Sequence, residues 1–272
     1  MNEVSSTPNE ISQTMDGFVA WARQQGWRYQ LAPIQLGLLQ RFLRRHGVDR
    51  LCQIDAAMLA DFQRFLSVQR RAATVNGYLH SVRAWWRYLL KEELVVADAT
   101  RSLRYLRPDY FVPYLYSVTE LSRIGQAAQV RTRHAPSSQV RLSRWTHYAA
   151  FGLLRDCGLR ISEASRLNLG DYDPRARTLR IELTKFFKSR QIPLPRRTCT
   201  LLNQYLVQRH KLGGEADESL PLFVSALGNR VHRVTFEGAF KQLLCSLDLY
   251  HPRRRQGRTV FGSTNLHALR RI

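Results

Sequence analysis

Apolar residues recur every three to four positions through most of the first hundred residues. In MDGFVAWARQQGW the repeat falls on Phe18, Trp21 and Ala22, and in LAPIQLGLLQRFLRRHG on Leu36, Leu39, Phe42 and Leu43, with Gly47 as the stop. IDAAMLADFQRFLSVQ predicts a third helix with Asp55 as its N-cap, since a short side-chain oxygen there accepts from the unpaired N–H groups of the first turn. A fourth, ATVNGYLHSVRAWWRYLLKEELV, sets Val75, Leu79, Val82, Trp86 and Leu89 or Leu90 in one stripe and leaves His80, Arg83 and Arg87 on other faces. The stripe assigns Trp85 and Trp86 to the core. From Ala97 to Ser117 the period fails. DATRSLRYLRPDYFVPYLYS, with two prolines, several arginines and a tyrosine cluster, predicts an extended basic connection. Such a segment fits a phosphate backbone or an ordinary protein surface equally well.

The period returns at Val118. VTELSRIGQAAQV predicts a helix with Thr119 near its start, RWTHYAAFGLLRDCG an apolar helix ending at Gly158, and ISEASRLNL a short one. RTLRIEL and SRQIPL then alternate apolar with polar residues on either side of a short connection, TKFFK, a hairpin pattern. Further helices are predicted from about Arg196 to His210 and from Thr235 to Leu247, separated by KLGGEADESLP. The expected fold is mainly α with one small antiparallel sheet in the second half. The expected organisation is a helical domain over 1–99, a basic linker over 100–117 and a mixed α/β domain over 118–272.

Charge narrows the choice of partner. The 272 residues carry 42 Lys and Arg against 21 Asp and Glu, a net charge of +21 and an excess that points to a polyanion, nucleic acid first. No run approaches the ~20 apolar residues of a spanning helix, and MNEVSSTPNE lacks the apolar segment of a signal peptide, so the cytoplasm is expected. Cys52, Cys157, Cys199 and Cys245 form no CxxC or Cys/His cluster; they read as reduced, mostly buried thiols.

Five cations stand out in the second half: Arg160 after Gly158, Lys185 and Lys188 in the hairpin turn, and His267 and Arg270 in NLHALRRI. Three cation types without an acidic cluster suit a phosphodiester, which needs donors for its non-bridging oxygens and a proton source for the leaving oxygen. No metal is called for. Spacing alone is a weak argument, because 42 Lys and Arg offer many such sets by accident.

CGLRISEASRLNLGDYD resembles the first arginine box of the tyrosine recombinase (phage integrase) family, TKFFKSRQIPLP its β-hairpin, and HALRR its second box. ATVNGYLHSVRAWWRYLLKEELV is similar to the last long helix of the family's core-binding domain, and PYLYSVTELSRI to the entry of its catalytic domain. The resemblance runs from about Asp16 to the end. It implies a helical, SAM-like core-binding domain and a mostly α catalytic domain that break and rejoin duplex DNA through a 3′-phosphotyrosyl intermediate, without cofactor or ATP. It also implies that Arg160 and Arg270 clamp the scissile phosphate, that His267 contacts it or handles a proton, and that Glu163 orients the basic groups. Lys185 corresponds to the proton donor for the departing 5′ oxygen. Phe186 and Phe187 follow it where the family often has glycine or a small polar residue, which leaves Lys188 as the alternative. Arg83, Arg87, Arg104, Arg107, Lys188 and Arg190 are expected on DNA, in a duplex with an inverted-repeat core site.

In the family a His or Trp and then the attacking tyrosine follow the second box. Here the sequence stops at Ile272, and Tyr148 and Tyr250 precede that box, out of order. The expectation is therefore a C-terminally truncated catalytic domain with no nucleophile, which binds DNA without completing cleavage. Self-association as the family's tetramer should be weakened, and Leu266 and Leu269 should lack packing partners. The alternative is a non-catalytic DNA-binding accessory or competitor with a degenerate recombinase fold.

Overall fold

A computed structural model describes residues 10–27, 30–182, 189–211 and 217–270. The chain divides between Tyr110 and Phe111, inside the segment expected to be a linker.

The first unit holds α1 (Glu10–Gln24), α2 (Ala32–Arg45), α3 (Ala56–Gln69) and α4 (Ala72–Lys91). Asp55 caps α3 by accepting from Met58 N at 2.7 Å, and Gly47, at φ +70°, turns the chain after α2. The stripe of α4 is buried throughout, with Trp85 and Trp86 both in the core beside Phe18, Leu39 and Phe62.

The segment after α4 differs from a free connection. Leu103 is buried, and the Asn76 amide, on α4, donates to Leu106 O and accepts from Leu106 N, both at 2.8 Å. Gln63 donates to Arg104 O at 3.0 Å, and Arg83 donates to Leu103 O. Polar side chains thus satisfy backbone groups of an aperiodic stretch and fix it to the helices as far as Leu106.

The division falls inside β1 (Tyr110–Val112), whose Phe111 and Val112 open the second unit, and α5 (Val118–Arg133) and α6 (Ser138–Cys157) follow. Ser117 and Glu120 cap α5 reciprocally: Glu120 N donates to Ser117 Oγ at 3.2 Å, and Ser117 N donates to Glu120 Oε2 at 2.7 Å. Helix α6 stops at Gly158, whose φ of +59° is the left-handed conformation a helix end commonly takes. Then come α7 (Ile161–Ala164), the sheet β2 (Tyr172–Asp173), β3 (Thr178–Ile181) and β4 (Arg190–Pro193), and α8 (Arg196–Lys211) and α9 (Arg233–Cys245). The register Ile181↔Arg190 joins β3 to β4, and the connection expected between them lies outside the described residues.

Where one sheet was expected, the described residues form two. Strands β5 (Arg254–Gln256) and β6 (Thr259–Phe261) form a ribbon, and β1 adds to it in the order β1-β6-β5. Only Val260 of the ribbon is buried, so the alternation that marks a strand is too short to read from sequence. A further correction concerns the end of the second unit. Leu266 and Leu269 are buried in the core, in a 3-10 turn (Leu266–Arg270) that packs on α6, so both have packing partners. Of the four free thiols only Cys199 is buried; Cys157 is intermediate, and Cys52 and Cys245 are exposed, against the expectation of mostly buried cysteines. Burial pushes the Cys157 thiol up to about 12.

Gly262 lets β6 meet the strand beside it. Its N–H donates to Val112 O at 2.7 Å, and an added Cβ would stand 3.0 Å from the Phe111 ring and 3.1 Å from Tyr114 N. A backbone nitrogen cannot yield as a side chain can. Gly262→Ala should therefore destabilise the unit by about 1–3 kcal/mol, measured as a lower denaturation midpoint; an unchanged midpoint would show that the sheet adjusts.

Candidate functional site

The site grows from the end of α6. Leu159 and Ile161 are buried on either side of Arg160, and this in-out-in order turns the Arg160 side chain outward, 43% exposed. Arg160 is also the N-cap of α7, where the first N–H groups lack helical partners. Glu163 supplies what is missing. Its carboxylate accepts from Arg160 N and from Arg160 Nη1, each at 2.8 Å.

The same carboxylate accepts from Arg190 Nη2 at 3.1 Å, so one glutamate joins the turn before α7 to β4. Only 1% of the Glu163 side chain is exposed, against 43% and 41% for the two arginines. Burial by itself would raise the Glu163 pKa; the Arg160 backbone N–H and the Arg190 and Arg160 side chains outweigh it and hold the group below the ordinary value of 4.5. The carboxylate is ionised at neutral pH. Two guanidiniums on one carboxylate leave one net positive charge, with N–H groups at the surface able to meet an oxyanion.

A second buried carboxylate secures the base of this arrangement. Asp156, at the end of α6, accepts from Arg197 Nε at 2.9 Å and Thr198 Oγ1 at 2.7 Å, tying α6 to the start of α8. Arg230 straps the stretch after α7, donating to Ser165 O at 3.2 Å and Leu167 O at 3.0 Å. Sequence reasoning passed over both residues. The partners that tie Asp156 to α8 and Arg230 to the stretch after α7 lie 41 or more positions away, and no local motif marks them.

His267 is exposed on the 3-10 turn, and Arg270 closes that turn. The Asn265 side chain caps it by accepting from Ala268 N at 3.1 Å. His267 lines a cleft of about 470 Å³ with Phe111, Tyr114, Arg253, Ser263 and Asn265. The turns carrying Arg160 and His267 share α6 as their backing. Lys185 and Lys188 lie outside the described residues, and the description of Arg270 stops at its backbone.

The remaining cations belong to the first unit. Arg87, Arg104 and Arg107 are exposed. Arg83 donates to the Leu103 carbonyl and its guanidinium lies 4.2 Å from the Tyr105 ring centre, so part of its donor capacity holds the segment after α4. Among the described residues, no helix is long and apolar enough to cross a membrane, and no group of His, Cys, Asp and Glu could hold a metal ion.

A comparison with known folds places this architecture. The lambda integrase dimer bound to a COC′ core site matches with a TM-score of 0.65 at 16% identity, over 95% of this chain and 67% of that one, a likeness of fold. In sequence, the Sinorhizobium fredii protein y4rB, an integrase/recombinase by name, is 37% identical over 202 residues, 71% of this chain and 62% of that protein. Tyrosine recombinase XerD of Mycobacterium leprae is 31% identical over 208 residues, 71% of this chain and 63% of that protein. This chain thus spans less than two thirds of either relative. The profile of the phage integrase family matches residues 126–271, and the chain belongs to that family, the tyrosine recombinases.

Glu163→Gln should lower stability by about 1–3 kcal/mol, because a buried hydrogen-bond hub loses its charge. The wild-type carboxylate is depressed, so its stabilisation is complete above the unfolded glutamate value and is lost as pH falls through the lower folded value. Denaturation midpoints between pH 7 and pH 3 should fall less for the Gln chain. Parallel pH curves would rule out the clasp as the source.

Proposed function

We propose that this chain forms the DNA-binding and phosphate-holding part of a site-specific recombinase. The observation that carries this reading is the Glu163 clasp, which presents Arg160 from the first box and Arg190 from the hairpin as one fixed cationic surface. In the reaction a tyrosine attacks the scissile phosphate, the 5′ oxygen leaves, and a 3′-phosphotyrosyl bond keeps the energy for rejoining. Arg160 and Arg270 meet the non-bridging oxygens as charge redistributes; planar guanidinium forks suit that geometry better than point-like ammonium groups. His267 contacts the same phosphate or handles a proton. Lys185, with Lys188 as the alternative, protonates the 5′ oxygen, and Glu163 keeps Arg160 oriented.

On the family's order the attacking tyrosine follows the second box, and the roles proposed for Arg160, Arg270, His267 and Lys185 are charge stabilisation and proton transfer. The partner is duplex DNA with an inverted-repeat site, reached in the cytoplasm, with Arg83, Arg87, Arg104 and Arg107 contributing contacts from the first unit. Copies associate on that site, as lambda integrase does in the dimer on its core site and the tetramer on a Holliday junction.

Selection from a pool of random duplexes should enrich an inverted repeat, and affinity for it should fall steeply with salt, since each phosphate contact releases counterions. Arg160→Ala should weaken binding about tenfold, the worth of one charged hydrogen bond at ~1.5 kcal/mol. Affinity that is flat between low and physiological salt, or structured RNA competing as well as duplex, would sink the reading.

A further inference from the structure

We propose that the β5–β6 ribbon is a separate DNA-contacting element of the second unit, in which Arg254, Arg255 and Arg258 grip backbone phosphates. This rests on the reading of the protein as a DNA recombinase and adds a site outside the Glu163 clasp.

Charge distribution is the first ground. Residues 249–272 contain six arginines and no Asp or Glu, so the ribbon lies in a stretch whose formal charges are all positive and which runs into the second box. Backbone geometry is the second. Gln256↔Thr259 are paired, which leaves Gly257 and Arg258 as a two-residue turn, and Gly257, at φ +56°, occupies the first central position of a tight hairpin. Arg258 therefore stands at the apex, and all three residues of β5 are exposed. Successive strand residues point to opposite faces, so Arg254 and Arg255 serve both sides of the ribbon.

The ribbon is also anchored to the second box. Thr264 N donates to His251 O at 3.0 Å and His251 N donates to Thr264 Oγ1 at 2.8 Å, closing its base. Val260 is buried, and the Gly262 bond to Val112 holds the far end of β6. Three residues beyond Thr264 stands His267. A phosphate held by the ribbon would thus be fixed relative to that histidine. The Arg253 guanidinium, 5.5 Å from the Phe111 ring centre, lines the His267 cleft and extends the cationic surface from ribbon to cleft.

Arginines on an edge strand have a second use, because charge there discourages pairing with another sheet, and β5 is an edge strand. The two roles separate experimentally. Fluorescence anisotropy of a labelled duplex, titrated at several KCl concentrations, gives the slope of log K against log salt for the wild-type chain and for Arg254→Gln/Arg255→Gln/Arg258→Gln. The slope should become shallower by about 2–3, at roughly 0.9 for each phosphate that is no longer neutralised. The matching triple Arg→Lys variant should keep it. Arg258→Gln alone, at the apex, should remove about 0.9 and serves as the measure if the triple Gln variant fails to fold.

A Gln variant that folds, binds duplex with the wild-type slope and self-associates on gel filtration would overturn the proposal and make the arginines edge guards. If the wild-type chain itself shows no salt slope, the DNA reading falls and takes the ribbon with it. A wild-type slope left unchanged by Arg258→Gln and by the triple variant removes the ribbon alone.

Discussion

A carboxylate almost wholly removed from water keeps its charge only when donors replace the lost hydration, and Glu163 is in that position. Its three sources of donors come from two elements: the backbone and side chain of Arg160, before α7, and the side chain of Arg190, on β4. The ion pair therefore fixes where the sheet stands relative to the end of α6. It also decides which way two guanidiniums face. Without the glutamate they would repel each other; with it they stand side by side, already desolvated on one flank and open on the other.

Such a clasp works only on a rigid base, and the core supplies one. Helix α6 carries Ala149, Ala150, Leu153 and Leu154 into the interior, and small residues there let neighbouring elements approach closely; a Cβ on Gly152 would meet Leu201 at 2.4 Å. Asp156 binds the helix end to α8 by the same logic as Glu163, an acidic group held ionised by donors that outweigh its burial. Leu266 and Leu269 dock the later turn on the same helix. Two segments about a hundred residues apart in sequence thus inherit their placement from one apolar face.

Much of this was legible in the residues, and the limits have physical causes. Long amphipathic helices such as α4, the Asp55 cap and the stops at Gly47 and Gly158 follow from local rules, because the partners lie within one turn. The pairing of Glu163 with Arg160 is equally local. Arg190 could be marked as basic and DNA-facing, yet its partnership with Glu163 spans 27 positions and depends on the hairpin register. The β5–β6 ribbon escaped because RRRQGRTVF is dominated by charge, with one buried residue to betray its period. Leu266 and Leu269 were misjudged because chain position suggested exposure, whereas burial depends on what α6 offers. The cysteines failed for a related reason: thiols pack well but need not be inside, and two sit at helix ends or turns facing water.

The positive charge of the second unit then separates into two physical kinds. Arg160 and Arg190 are partly neutralised, fixed in direction and few, which suits one phosphate at one place. The ribbon arginines are exposed, closely spaced and set in a stretch, 249–272, without Asp or Glu, which suits several phosphates without regard to base identity. Contacts of the second kind supply affinity that fades with salt; contacts of the first kind act where charge shifts during reaction, and there orientation matters more than number. A net charge of +21 is thus informative about the partner and nearly silent about chemistry. Direction comes instead from Glu163, the buried acid that tells two of the arginines where to point.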